Sequence, residues 1–277
     1  MPVQDAWEAA AQARASDRWA EASAAWNTAM TDALLTAASL TPDTLVLDLA
    51  AGTGDPALRI AKQLVAGQVI ALDSSYESLL VAHAHAQRLG LESKMYCIQG
   101  DAHAIPLGRG RVDRITCRCG VMFFRDTGLV MSEMLRVLKL GGRVALLAWG
   151  PFEQPFFQAT IGVVLRRVCG VEMPPEAGNM FRFASRGSLQ RQLQAAGFCN
   201  VHEELVTVQR IWAASSLELW AYQQEVSTLC RPLFASIPRA KVADIDAEVS
   251  SALALFQLGA VLSVPVEVIV ATGQRDQ

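Results

Sequence analysis

Leu45-Val46-Leu47-Asp48-Leu49-Ala50-Ala51-Gly52-Thr53-Gly54-Asp55 is the stretch on which the fold of this 277-residue chain turns. Its first five residues are an apolar run rich in branched side chains, bounded by Thr41-Pro42-Asp43 on one side and small residues on the other. That is the pattern of a buried strand. Ala50 to Gly54 then make a turn in which glycine reaches positive φ and lets a ligand approach the backbone with no Cβ in the way. Asp55-Pro56 opens a helix over 56–64, with Asp55 as N-cap and Pro56 at the first helical position. Strand, glycine turn and helix N-terminus in succession form a binding site of the nucleotide type.

The pattern repeats outward from this unit. A second strand over 67–73 ends in Asp73, about 20 residues beyond the glycine turn, where a carboxylate can accept hydrogen bonds from ribose hydroxyls. The helix that follows stops at Gly90, and its His83 and His85 read as surface or packing residues. A third strand from Met95 ends in Gly100-Asp101-Ala102; a tip acid and the next backbone N–H suit an adenine ring, although Asp also simply caps turns. Strand four, 111–117, leads into the loop 118–124, which lies at a carboxyl end and so borders the reactive centre. A helix over 126–139 and a fifth strand over 143–149 complete the series. Five βα units, then a strand over 200–208 and another over 262–271 separated by helices, point to a doubly wound α/β sheet.

Composition bounds the function. With 52% hydrophobic residues the chain can bury a large core, and a net charge of −3 provides no basic field for nucleic acid. No apolar run nears the roughly 20 residues that span a bilayer, and the N-terminus lacks a secretory pattern, so a cytoplasmic protein is expected. Six scattered cysteines are expected to be reduced thiols, and Cys117-x-Cys119 has no second pair at zinc spacing, so no metal is expected.

The residues resemble class I S-adenosylmethionine-dependent methyltransferases, and among them the quinone-biosynthesis-type enzymes that act on small molecules. Val46 to Gly54, Asp73, Gly100-Asp101-Ala102 and Leu135 to Arg143 match the family's landmarks in order, and the Gly120-Val121-Met122-Phe123-Phe124 run matches the subgroup. A plain dinucleotide site competes, but Ala57 stands where its third glycine belongs, and the later landmarks favour the methyl donor. The resemblance implies a Rossmann-like doubly wound seven-stranded sheet with the last strand antiparallel, and S-adenosyl-L-methionine as cofactor. It further implies that the backbone of Ala50, Gly52 and Gly54 lies against the methionine and ribose portion, that Asp73 holds the ribose and Asp101 and Ala102 the adenine, and that Asp48 and Ser74 belong to the same cofactor site. Arg118 or Cys119 would border the aminoacyl group.

The expected organisation is a helical cap or lid over 1–40 and a cofactor-binding methyltransferase domain over 41–277. Within that domain lie a substrate-pocket segment, 150–187, and a helical insert, 213–260. Trp19 and Trp26 of the cap, Met122 and Phe123 after strand four, and Phe156, Phe181 and Phe183 of the segment are the candidate pocket residues. The partner is a small molecule, and oligomeric state is left open between monomer and homodimer. Methyl transfer from a sulfonium needs little acid or base help, so proximity and desolvation supply most of the effect. His103 is the one candidate base, and a surface role competes with it. The lack of Asn-Pro-Pro-Tyr or Asp-Pro-Pro-Tyr after strand four argues against nucleobase and glutamine acceptors. An apolar or aromatic metabolite methylated at O, N or C is the leading reading. The alternatives are a cofactor-binding fold catalysing cyclisation or isomerisation without methyl transfer, and a non-catalytic regulatory subunit.

Overall fold

Leu45–Leu49 is the first strand, β1, and all but its first residue are buried. A computed structural model describes residues 3–172, 180–227 and 230–276. The remaining parts of the expected cap, of the 150–187 segment and of the 213–260 insert lie outside the described residues. Two helices precede β1, α1 (Val3–Arg18) and α2 (Ala20–Ala38). The alternating units then follow as α3 (Ala57–Gln63), β2 (Gln68–Asp73), α4 (Tyr76–Arg88), β3 (Met95–Gln99), β4 (Val112–Arg118), α5 (Thr127–Val137) and β5 (Leu138–Trp149). The 150–187 segment contributes the short helices α6 (Pro155–Ala159) and α7 (Ile161–Val164). After α8 (Ser188–Ala195) and β6 (Cys199–Trp212), the insert forms α9 (Ser216–Val226), α10 (Arg231–Ala235) and α11 (Val242–Ala254). The chain closes with a two-residue β7 (Gln257–Leu258) and β8 (Val261–Gln274).

The strands order as β3-β2-β1-β4-β5-β8-β6, with β7 paired to β8. β1 to β5 are parallel, and β8 runs antiparallel between β5 and β6. The sheet is thus the expected doubly wound one with an antiparallel last strand, plus β7 as an eighth, minimal strand. The strand order reverses between β1 and β4, so the crevice beyond their carboxyl ends is the place for a ligand.

Alternation along the strands makes two buried faces. Ala145 and Leu147 of β5 pack with α2, α9 and α11, whereas Val144, Leu146 and Ala148 pack with α5 and α8. Val46 of β1 faces α3 and α4. Trp26, Met30, Leu34 and Ala38 of α2 are fully buried in the largest cluster, so this helix is part of the core. Helix α1 instead bridges α4 and α9.

Pro265 lies in β8, paired with Gln209 of β6 alone where β8 has run past its pairing with β5, an edge position that suits a proline. The missing proline N–H costs nothing there because no β5 carbonyl faces it. Strand five begins at Leu138, earlier than Arg143, because Lys139 to Gly142 loop out between two paired stretches of one strand, with Gly141 at φ 72°.

The β6–β8 ribbon has a consequence for the site. β5 pairs with β8 only from Arg143↔Gln274 to Trp149↔Val268, while β6 pairs with β8 on to Trp212↔Leu262. β6 runs in the direction of β5, so its residues 207–212 overhang the carboxyl edge of the sheet, where the crevice lies.

Candidate functional site

At the end of β1 the Asp48 carboxyl is fully buried; Oδ1 accepts a hydrogen bond from Thr116 Oγ1 of β4 at 2.6 Å. Oδ2 has no hydrogen-bond partner among the described residues. Burial raises this carboxyl to about 7, against the pull of Thr116 and of the Arg118 charge. The chain then turns through Ala50 (φ 54°), Gly52 (φ 55°) and Gly54 (φ 106°). A Cβ added at Gly52 would meet nothing within 4 Å, so this backbone faces open space. At Gly120, in the loop after β4, a Cβ would stand 2.5 Å from the Ala50 Cβ. That loop therefore rests directly on the turn.

Backbone hydrogen bonds tie the neighbouring tip to it. Ala51 N–H donates to Leu72 O at 3.1 Å, Gly52 N–H donates to Asp73 Oδ2 at 2.8 Å, and Ser75 N–H donates to Asp73 Oδ1 at 2.8 Å. Asp73 is thereby fixed across the glycine turn, and the carbonyl of its neighbour Ser74 accepts from Gln99 Nε2. On the next strand tip, Asp101 Oδ1 accepts from His103 N–H at 2.9 Å and faces His103 Nδ1 at 2.6 Å. Ala102 is buried at the start of the following turn. Gly52, Asp73 and Asp101 thus stand on three neighbouring strand tips, joined by Gly100 N–H donating to Asp73 O.

Arg118, at the tip of β4, is satisfied on two sides. Its Nη1 lies 2.9 Å from Asp55 Oδ2 and donates to Thr31 Oγ1 at 3.2 Å, and Nη2 donates to the Asp55 carbonyl. Burial is the largest single influence and pulls the guanidinium down, but Asp55, together with smaller contributions from Cys119, Tyr222 and Asp48, outweighs it and keeps Arg118 charged. Asp55 is therefore not the cap of α3, whose N-cap is Pro56; its side chain is turned to the cation instead. Cys119 follows at φ 55°, its thiol raised to about 11 by burial, which makes it a neutral wall rather than a nucleophile.

Ala50, Gly52, Asp55, Arg118 and Cys119 line a cleft of about 1210 Å³, whereas Asp48, Gly54, Asp73, Ser74, Asp101 and Ala102 are not among its lining residues. Pockets for small ligands run to roughly 300–1,000 Å³, so two molecules fit side by side. Phe123, Trp149, Phe157, Ile161 and Met180 supply apolar surface to it, and Asn27, Arg210 and Tyr222 supply polar groups.

Of the expected pocket residues, Phe123 lies on this surface, half exposed. Trp26, Met122, Phe156, Phe181 and Phe183 are buried in the core, and Trp19 packs on Trp212 and Tyr222. They are too large and apolar to stay at a wet surface once a sheet face is available to cover them. His103 sits apart from the cleft: its Nδ1 faces Asp101, and its Nε2 accepts from Asp126 N–H at 3.2 Å. Both ring nitrogens thus have protein partners, and His103 is not among the residues lining the cleft.

The description "Methyltransferase domain" matches residues 46–142. The demethylmenaquinone methyltransferase of Thermus thermophilus is 31% identical over 172 residues, spanning 58% of this chain and 77% of that protein. The enzyme of the same name from Lactiplantibacillus plantarum is 30% identical, over 57% of this chain and 71% of its own. The chain belongs to the class I S-adenosylmethionine-dependent methyltransferases. A solved structure of a putative methyltransferase from Bacillus halodurans shares the fold, with a TM-score of 0.56, 22% identity, and coverage of 89% of this chain and 99% of that one.

This methyltransferase is therefore an enzyme of the quinone-biosynthesis type that uses S-adenosyl-L-methionine. Its residues fit that cofactor: a backbone cradle with left-handed turns and open space over Gly52. Thr31, Asp55, Arg210 and Tyr222 were not singled out as site residues in the sequence. Arg210 had left a signal there. Val208, Arg210 and Trp212 alternate onto one buried face of β6, so a charge stands at an apolar position.

Proposed function

We propose that this methyltransferase moves a methyl group from S-adenosyl-L-methionine to O, N or C of a small apolar or aromatic metabolite held in the cleft, in the cytoplasm. One observation carries the reading: the glycine turn and an apolar wall of Phe123, Trp149, Phe157 and Met180 share a single cleft. The named activity of the relatives, on demethylmenaquinone, supports an aromatic acceptor.

The bound cofactor supplies an activated methyl group and a neutral leaving thioether. The chain's residues do the positioning. Asp73 and Ser74 hold the ribose, Asp101 and Ala102 the adenine, and Asp48, Ala50, Gly52 and Gly54 the methionine and ribose portion. Arg118, neutralised by Asp55, orders the wall beside the aminoacyl group together with Cys119. Helix α1 acts as the lid, strapped to α4 by Asp17 with His85 (2.8 Å) and Arg88 (3.5 Å), and to α9 by Glu225 with Arg18 and the Trp19 indole. A closed, dry cleft raises the effective concentration of acceptor at the methyl carbon, and no general base is assigned.

The experiment is titration calorimetry with S-adenosylhomocysteine, paired with transfer of labelled methyl to quinol and phenol acceptors. Asp73→Ala removes the acceptor for Gly52 N–H as well as the ribose contact, and should weaken binding by roughly tenfold to a hundredfold. Unchanged affinity in that variant refutes the cofactor assignment. Tight cofactor binding with conversion of a substrate and no loss of the methyl group would select the cyclisation alternative.

A further inference from the structure

The two arginines of the cleft differ in one respect. Arg118 has Asp55 against it, whereas Arg210, 3% exposed, forms no ion pair among the described residues. Arg210 Nε donates to Trp26 O at 2.9 Å and Nη2 to Asn27 Oδ1 at 3.1 Å. Nη1 makes no hydrogen bond among the described residues. The guanidinium carbon lies 3.9 Å from the Trp26 ring centroid and 5.5 Å from that of Trp149. Two indoles and two neutral oxygens thus fix its orientation without cancelling its charge. Burial draws Arg210 down to about 9, so it is still a cation at neutral pH. Arg118 pushes in the same direction, and the nearby Tyr222 and Cys119 oppose it.

A buried cation with no counter-ion is costly, and chains retain one where a ligand brings the missing charge. The position agrees. Arg210 lies on the overhang of β6 beyond β5 and, with Tyr222 nearby, lines the same cleft as the glycine turn. We infer that the methyl acceptor carries an anionic oxygen, a carboxylate or an ionised ring hydroxyl, which pairs with Arg210 Nη1 in the cleft. This rests on the methyltransferase reading above and narrows its acceptor from any apolar ring to an acidic one. Trp26 and Trp149 flank the cation, so the same place selects a flat anion over a tetrahedral one. Tyr222 adds a hydroxyl to the lining of the same cleft.

The competing account is that Arg210 merely clamps β6 to α2 through Trp26 and Asn27. A clamp does not distinguish a charged ligand from its neutral isostere, and the test uses that difference. Protein saturated with S-adenosylhomocysteine is titrated at pH 7.5 with 2-naphthoate against 2-naphthamide, and with ionised 2,4-dinitro-1-naphthol against its methyl ether. The first pair reports a carboxylate acceptor and the second an ionised hydroxyl. The expected result is about tenfold tighter binding of at least one anion than of its neutral partner, the worth of one charge-assisted hydrogen bond. Arg210→Gln should erase that preference with S-adenosylhomocysteine affinity unchanged, and Arg210→Lys should keep part of it. Equal binding within both pairs, or no binding of either anion, overturns the inference, as does a preference that survives in Arg210→Gln. Should Arg210→Gln not fold, the anion-to-neutral ratios in the unaltered protein and in Arg210→Lys decide. Loss of S-adenosylhomocysteine binding by the unaltered protein would instead defeat the cofactor assignment, a separate failure.

Discussion

Replacing Asp48 by Asn should make this protein progressively more stable than its parent as pH rises from 5 to 8. The Asp48 carboxyl is fully buried, with one oxygen on Thr116 and the other unpartnered among the described residues. Burial lifts it from 3.8 to about 7. A carboxyl raised by folding contributes its full stability only below the unfolded value. The contribution drains away as pH climbs to the folded value. At about 1.36 kcal/mol per pH unit, the parent loses about 2.5 kcal/mol between pH 5 and 8 from this group alone. Asn has no charge to desolvate and still accepts from Thr116, so its stability lacks this slope. Any fixed cost of the amide N–H₂ is the same at both pH values and cancels in the difference. Urea unfolding followed by tryptophan fluorescence at pH 5, 6, 7 and 8 measures it. Parallel parent and variant curves would refute the burial argument.

Gly120→Ala places a Cβ 2.5 Å from the Ala50 Cβ and 2.8 Å from the Cys117 sulfur, so unfolding free energy should drop by about 1–3 kcal/mol. Calorimetry should show weaker S-adenosylhomocysteine binding as the turn shifts. Asp17→Ala combined with Glu225→Ala cuts both straps of α1, and because exposed ion pairs contribute about 0–1 kcal/mol each, the melting temperature should change little. Stopped-flow fluorescence should nevertheless find faster release of S-adenosylhomocysteine; an unchanged off-rate would remove α1 as a lid. Cys119→Ala should keep methyl transfer, since a thiol held at about 11 is neutral at working pH; loss of activity in a labelled-methyl assay would restore a chemical role to it.

Much of the fold is legible in order along the chain because its signals are local. The run 45–49, the glycine turn and Asp73 announce a strand, a cradle and a second strand tip through residue type and spacing alone, and each lies on a neighbouring tip in the structure. The cleft lining was less legible. Trp26, Phe156 and Phe181 carry the same aromatic signal as Phe123, yet three are core and one is surface, and only the packing of α2 and α6 against the sheet separates them. Asp55 looks like a helix cap until Arg118, 63 positions later, arrives beside it.

Strand periodicity and the glycines at 52 and 54 determined by themselves that this chain is a doubly wound sheet with a glycine turn after its first strand, because backbone conformation depends on near neighbours. Tertiary structure alone decided which side chains line the cleft. β6 outruns β5 and brings Arg210, 92 residues along the chain from Arg118, to the carboxyl edge of the sheet, and the length of that overhang follows from pairing with β8. Charge partners, like core places, are settled by which distant surfaces cover each other, and no local run of residues encodes that.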